Sequence, residues 1–291
     1  MALRPGAPSG ALACRARALA TGLLAAACLA GCAGGLRIVD RPGSVAQDSR
    51  VQFIVLHYTE GDFDEAYSTL TQGDVSSHYL VDREPPTIYR LVPEGRRAWH
   101  AGLSSWQGHT ALNAASIGIE IVNRGYLVDK SGPYAPYPAA QIDRVIALVR
   151  DIARRHAVRP DRIIGHSDIA PTRKVDPGPM FPWARLAGEG LIPWPDADQV
   201  AARRARFAAG EPVPEVAWFQ VRLARHGFLV PRHGQLDGPT RDALVAFQMK
   251  YRPARYDGEP DAESAALLDV VTTTGGLLIV GPDGQRRPYA P

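Results

Sequence analysis

The hydrophobic positions of this chain fall into two bodies with different periods. Between about 36 and 195, strand and helix patterns alternate. Val51-Gln52-Phe53-Ile54-Val55-Leu56 is a nearly continuous apolar run with β-branched members, the pattern of a buried strand. Ser116-Ile117-Gly118-Ile119-Glu120-Ile121-Val122 alternates instead, so Ile117, Ile119 and Ile121 share one face and Glu120 lies on the other. From Gln141 to His156, the residues Ile142, Val145, Ile146, Val149, Ile152 and Ala153 recur at helical spacing. Arg162-Ile163-Ile164-Gly165 predicts a further short strand that ends at His166, and the Gly, Pro and Tyr content between about 124 and 138 predicts a loop. The class that results is α/β, a mixed β-sheet flanked by helices.

The second body is all helical. Residues 196–214 are rich in Ala, Arg and Pro, end in Glu211-Pro212-Val213-Pro214, and read as a linker. Over 215–272 the apolar positions Trp218, Val221, Leu223, Phe228, Leu244, Phe247, Leu267 and Leu268 are punctuated by Asp237-Gly238 and Asp257-Gly258. This predicts two or three short helices in a small, independent helical domain. Residues 273–291, rich in Gly and Pro, read as a tail without fixed structure.

Charge and cysteine content narrow the classes. Of 33 basic residues only Arg4, Arg15 and Arg17 lie in the first 31, where there is no acid, so the remainder balances the 30 acidic residues. A near-neutral body excludes a nucleic-acid binder built on a broad basic surface. The three cysteines, Cys14, Cys28 and Cys32, all lie near the N-terminus, which excludes a cysteine zinc cluster or a disulfide framework in the body. Arg15 and Arg17 precede a short apolar run from Ala18 to Ala30, the build of a secretory signal peptide over 1–31. That run closes on Leu29-Ala30-Gly31-Cys32, which resembles the bacterial lipobox and implies cleavage before Cys32 and lipidation of its thiol. The alternative is an ordinary signal peptide cut near Ala33. Because Ala33 is not the Asp that retains bacterial lipoproteins in the inner membrane, the resemblance implies an outer-membrane anchor facing the periplasm.

Candidate chemistry sits in the first body. His57 lies just beyond the strand over 51–56 and His166 just beyond that over 162–165, the ends where α/β folds build sites. Asp176 follows His166 by ten residues through a loop containing Pro171. Two imidazoles and a carboxylate form a three-ligand zinc set that leaves a fourth position for water. Glu120 is then a candidate to take the water's proton and Lys174 to balance an oxyanion. Lys174 is one of only three lysines, with Lys130 and Lys250, in a chain whose default cation is arginine. Spacing alone leaves other readings open: hydrogen-bonded histidines, an exposed strand side for Glu120, a solvated loop charge for Lys174.

Five segments in order resemble the zinc-dependent N-acetylmuramoyl-L-alanine amidases that share their fold with peptidoglycan recognition proteins. They are Val55-Leu56-His57-Tyr58-Thr59, Val75-Ser76-Ser77-His78-Tyr79-Leu80, Arg97-Ala98-Trp99-His100-Ala101-Gly102, Asn113 to Glu120, and Gly165-His166-Ser167-Asp168 running on to Lys174-Val175-Asp176-Pro177-Gly178. The resemblance implies a catalytic domain over 36–195 with Zn2+ on His57, His166 and Asp176. It implies Glu120 as general base, Lys174 as transition-state stabiliser, and a substrate groove with His100, Ala101, Gly102, Tyr58, Trp99 and Asn113. His78 matches a family position that is not a ligand. Asp82-Arg83-Glu84-Pro85-Pro86-Thr87 departs from the tight Asp/Gly turn of many relatives, which bears on loop shape and not on the catalytic set. Residues 215–272 resemble the three-helix peptidoglycan-binding domain often fused to wall hydrolases. The expected partners are peptidoglycan or muropeptides and, through Cys32, a membrane. Two other readings follow from the same residues: an amidase of soluble anhydro-muropeptides, or a wall-binding protein without catalysis.

Overall fold

A computed structural model describes residues 38, 39, 41, 43–128 and 132–290; the lipobox and Cys32 lie outside the described residues. The compact unit of interest runs from Asp48 to the C-terminus.

Its centre is a five-stranded sheet of order β3-β2-β6-β1-β7, formed by β1 (Phe53–Tyr58), β2 (Tyr79–Val81), β3 (Ile88–Arg90), β6 (Ser116–Ile121) and β7 (Ile163–Gly165). β1 runs parallel to β6 and β7, β2 parallel to β6, and only β3 is antiparallel, so the sheet is mixed as expected. β4 (Ser105–Trp106) and β5 (His109–Thr110) form a small separate hairpin. The Asp82–Thr87 segment closes the β2–β3 hairpin, with the Asp82 N–H donating to the Thr87 carbonyl at 2.8 Å.

Every residue of β1 is buried. Ile54 and Leu56 belong to one core with Ile142, Val145, Val149 and Ile152 from the helix Ala139–His156. Phe53 and Val55, pointing the other way, belong to a second core. That core is completed by Phe219 and Leu223 of the helix Val216–His226, Leu244 and Phe247 of Gly238–Tyr251, and Leu268 of Ala262–Val271. The C-terminal helices thus share one core with the sheet. Each fully buried phenylalanine among these contributes about 1.5–3 kcal/mol relative to exposure.

Two expectations are corrected. The segment 196–214 is not simply a linker: Ala197–Ala208 is a helix, capped by the Asp196 carboxylate accepting the N–H of Asp198 and Gln199. Alanine and arginine favour helix, and the cap starts it. The tail over 273–291 is ordered through residue 290. There β9 (Leu277–Val280) pairs with β8 (Trp194–Pro195) and β10 (Arg286–Pro288) pairs with β9. Leu277-Leu278-Ile279-Val280 is a strand-forming run and Asp283-Gly284 supplies the hairpin turn.

A shared core makes unfolding cooperative. Scanning calorimetry of residues 48–291 is expected to give one endotherm with equal calorimetric and van't Hoff enthalpies, and two resolved endotherms would contradict it.

Candidate functional site

Parallel pairing sets the site. His57, the fifth residue of β1, stands in register with Glu120 of β6, and Gly165, the last residue of β7, stands opposite Leu56. His57, Glu120 and His166 therefore emerge at the same end of three adjacent strands. Asp176 returns to that end on the loop after the helical turn His166–Ile169, where the Ser167 N–H donates to the Asp176 carbonyl at 2.8 Å.

Three atoms converge. His57 Nδ1 lies 3.0 Å from His166 Nδ1 and 3.0 Å from Asp176 Oδ2, and His166 Nδ1 lies 3.1 Å from the same oxygen. All three residues are buried.

Hydrogen bonds behind the rings decide which nitrogens carry protons. The Leu112 carbonyl can only accept, so Ser116 Oγ–H donates to it at 2.5 Å. Ser116 Oγ then accepts from His100 Nε2–H at 3.1 Å, and His100 Nδ1 accepts from His57 Nε2–H at 3.0 Å. His57 Nδ1 is left bare. On the other side, His166 Nε2–H donates to the Ala101 carbonyl at 3.3 Å, which leaves His166 Nδ1 bare as well. Burial, reinforced by the neighbouring His166, pushes His57 down to about 4, and burial beside His57 and His78 holds His100 well below its usual range. Two bare imidazole nitrogens and a carboxylate oxygen thus point their lone pairs at one spot, a set of three buried donors that could hold a metal ion.

Gly118 makes this wiring possible. A Cβ there would sit 2.5 Å from His100 Cγ, so no other residue lets the imidazole cross β6. His78, as expected, is no ligand: its Nδ1 accepts the Gly118 N–H at 3.0 Å and its Nε2 donates to the Arg96 carbonyl.

Glu120 Oε1 is 4.0 Å from His57 Nδ1, while its Oε2 is buried without a hydrogen-bond partner among the described residues. Burial and the nearby Asp176 carboxylate push the Glu120 carboxyl well above its usual range, and the Lys174 ammonium pulls the other way. Glu120, Lys174 and Asp176 open into a cavity of about 790 Å³ walled by Tyr58, Thr59, Glu60, Glu65, Thr69, Val75 and Arg173.

Of the six residues expected in a substrate groove, only Tyr58 lines this cavity. Its hydroxyl is buried and unpartnered among the described residues. His100 and Ala101 are buried behind the site, and Asn113 Oδ1 straps them there by accepting both of their N–H groups at 2.9 and 2.7 Å. Gly102, at φ +56°, lies against the Arg173 guanidinium, which donates to the Ala101 and Leu103 carbonyls. Trp99 is half exposed under the Arg97 guanidinium, 4.0 Å from its ring centroid. The motif around 99–102 thus builds the frame of the site. Arg173, Glu60 and Glu65 had no assignment from sequence; adjacency to Lys174 was the one signal that Arg173 offered.

Two family models match: N-acetylmuramoyl-L-alanine amidase over residues 47–179, and a peptidoglycan binding domain over 212–268. The chain is 43% identical over 262 residues to N-acetylmuramoyl-L-alanine amidase AmiD of Escherichia coli, covering 85% of this chain and 94% of AmiD. Among solved structures it is similar to the complex of Escherichia coli AmiD with anhydro-N-acetylmuramic acid-L-Ala-D-γ-Glu-L-Lys, with TM-score 0.72, 41% identity, and coverage of 81% of this chain and 93% of that one. AmpDh3 of Pseudomonas aeruginosa in complex with anhydromuramic pentapeptide matches with TM-score 0.73 and 35% identity, over 81% of this chain and 96% of that one. With its ligand-like triad at the strand ends, its mixed sheet and its relatedness along nearly the whole length of AmiD, this chain belongs to the N-acetylmuramoyl-L-alanine amidase family.

Proposed function

We propose that this amidase works with zinc, held by His57 Nδ1, His166 Nδ1 and Asp176 Oδ2, to cut the amide between the lactyl group of N-acetylmuramic acid and the L-Ala of the stem peptide. The observation that carries the reading is the convergence of three lone-pair donors within 3.1 Å. Ligand atoms on a tetrahedral zinc lie roughly 3.3 Å apart, so the set fits within a few tenths of an ångström. When bound, zinc supplies a Lewis acid that lowers the pKa of water toward ~7 and polarises the scissile carbonyl.

The chain's own residues do the rest. Glu120 accepts the proton of the attacking water on a carboxylate whose proton affinity is raised by burial, then returns it to the departing L-Ala amine. Lys174, lining the same cavity, balances the charge that develops on the carbonyl oxygen. Tyr58, with its free buried hydroxyl, is a donor to the substrate at the cavity wall.

Residues 36–195 are the catalytic domain in this reading, and 215–272 hold the enzyme on peptidoglycan. Cys32 anchors it by lipid to the outer membrane, facing the periplasm, and the match to a peptidoglycan binding domain supports a place beside the wall. Soluble anhydro-muropeptides are a second substrate class, favoured by the ligands of the related AmiD and AmpDh3 complexes.

Three outcomes are expected. Glu120→Gln keeps its metal and lowers turnover by about 10²–10⁴-fold; near-normal turnover would remove the base from Glu120. His100→Ala, by freeing the His57 ring, weakens zinc affinity by about 10–100-fold, measured by chelator competition, and an unchanged affinity would mean the His57 ring is oriented without it. Mass spectrometry of wall sacculi and of purified anhydro-muropeptides, each digested with zinc or with chelator, yields free peptides beginning at L-Ala only with zinc. Release from one substrate and not the other separates the two classes, and release in chelator argues against the metal.

A further inference from the structure

Behind the metal-ligand turn lies an ion pair that the reaction does not use. Lys250, on the C-terminal helix Gly238–Tyr251, reaches Asp168 Oδ2 at 2.8 Å, and the two side chains are 7% and 2% exposed. The same carboxylate oxygen accepts the Gly165 N–H at 2.8 Å. Gly165 precedes His166, so this one oxygen holds the Ile164–Gly165 peptide, one residue before a proposed zinc ligand.

The ammonium has a second neighbour, the ring of Trp183, whose centroid is 4.3 Å away. Trp183 and Pro177 close around Gly165, where a Cβ would meet Pro177 Cδ at 2.8 Å and Trp183 Cζ2 at 3.2 Å. Pro177 directly follows Asp176. Lys250 therefore backs both ligand segments, one through Asp168 and Gly165, the other through Trp183 and Pro177. The lysine places a compact ammonium between the Asp168 carboxylate and the Trp183 face, a point charge where an arginine would present a planar fork. Lys250 is, with Lys130 and Lys174, one of only three lysines among 33 basic residues.

We propose that Lys250 is a positioning residue for the metal centre, so that the C-terminal helical bundle supplies a structural part of the zinc site through the Lys250–Asp168 pair. The inference rests on the zinc reading above. A buried carboxylate that has lost its cation seeks water or a new partner, and because Asp168 Oδ2 also holds the Gly165 N–H, its movement is passed to Gly165 and His166.

The test uses the full chain without its signal peptide, as Lys250→Met, Lys250→Arg and the neutral double variant Lys250→Met/Asp168→Asn. Zinc affinity is measured by competition with a chromophoric chelator, and the cobalt-substituted proteins are compared by visible absorption. Lys250→Met is expected to weaken zinc at least tenfold and shift the cobalt bands while the protein stays folded. Lys250→Arg is expected to give a smaller loss, and the double variant to recover part of the affinity because no unpaired carboxylate remains. If Lys250→Met does not fold, the double variant and Lys250→Arg are read against wild type. Lower thermal stability with zinc affinity within twofold of wild type and unmoved cobalt bands would reduce Lys250 to a packing brace and overturn the proposal. Absence of zinc binding by wild type would instead bring down the metal reading on which it stands.

Discussion

A strand with no solvent face organises this molecule. β1 is apolar on both sides, so it needs a layer above and a layer below, and one chain segment alone provides only one of them. The helix Ala139–His156 covers Ile54 and Leu56, and the C-terminal helices cover Phe53 and Val55. Because His57 is the next residue along the same strand, the packing that satisfies β1 also decides where the first ligand-like imidazole stands.

The site is held by directed polar contacts in an apolar setting. Two imidazoles and a carboxylate placed within 3.1 Å repel one another through their lone pairs, and nothing local in the chain would bring them there. What opposes the repulsion is a run of one-way hydrogen bonds from His57 through His100 and Ser116 to the Leu112 carbonyl, with Ala101 playing the corresponding part for His166. Each ring is held by hydrogen bonds that end on a backbone carbonyl, Leu112 for the His57 relay and Ala101 for His166, which can only accept. The open side faces a cavity into which the Glu120 carboxylate and the Lys174 ammonium both open, which suits a reaction that moves a proton and develops a negative oxygen.

How much of this was legible in the sequence follows from the range of each interaction. The sheet strands and the helix over 139–156 are written in local periodicity, and His57, His166 and Asp176 stand out because they follow strands. His100 was misread as a groove residue, since its motif lies beside the site in sequence and only Gly118, on a different strand, reveals that the ring points inward. The partner of the C-terminal helices was not legible either, because Phe219, Leu223 and Phe247 present the same amphipathic pattern to any apolar surface. The ordered tail was available: four strand-forming residues and an Asp-Gly turn outweigh a general impression from glycine and proline content. Lys250 was available too, since the scarcity of lysine that drew notice to Lys174 applies equally to it.

The hairpin near the C-terminus changes how the bundle is attached. After the last helix the chain comes back to the first lobe, where β9 pairs with β8 and the Tyr289 hydroxyl donates to Asp161 beside β7. The helices between are thus sewn in at both ends, an insertion in topology even though they follow the catalytic segment in order. Wall-binding modules are commonly thought of as cassettes that recombination can add, drop or exchange. Here an exchange that kept only the three helices would sever the returning strand, so lobe and bundle are constrained to be inherited as one piece.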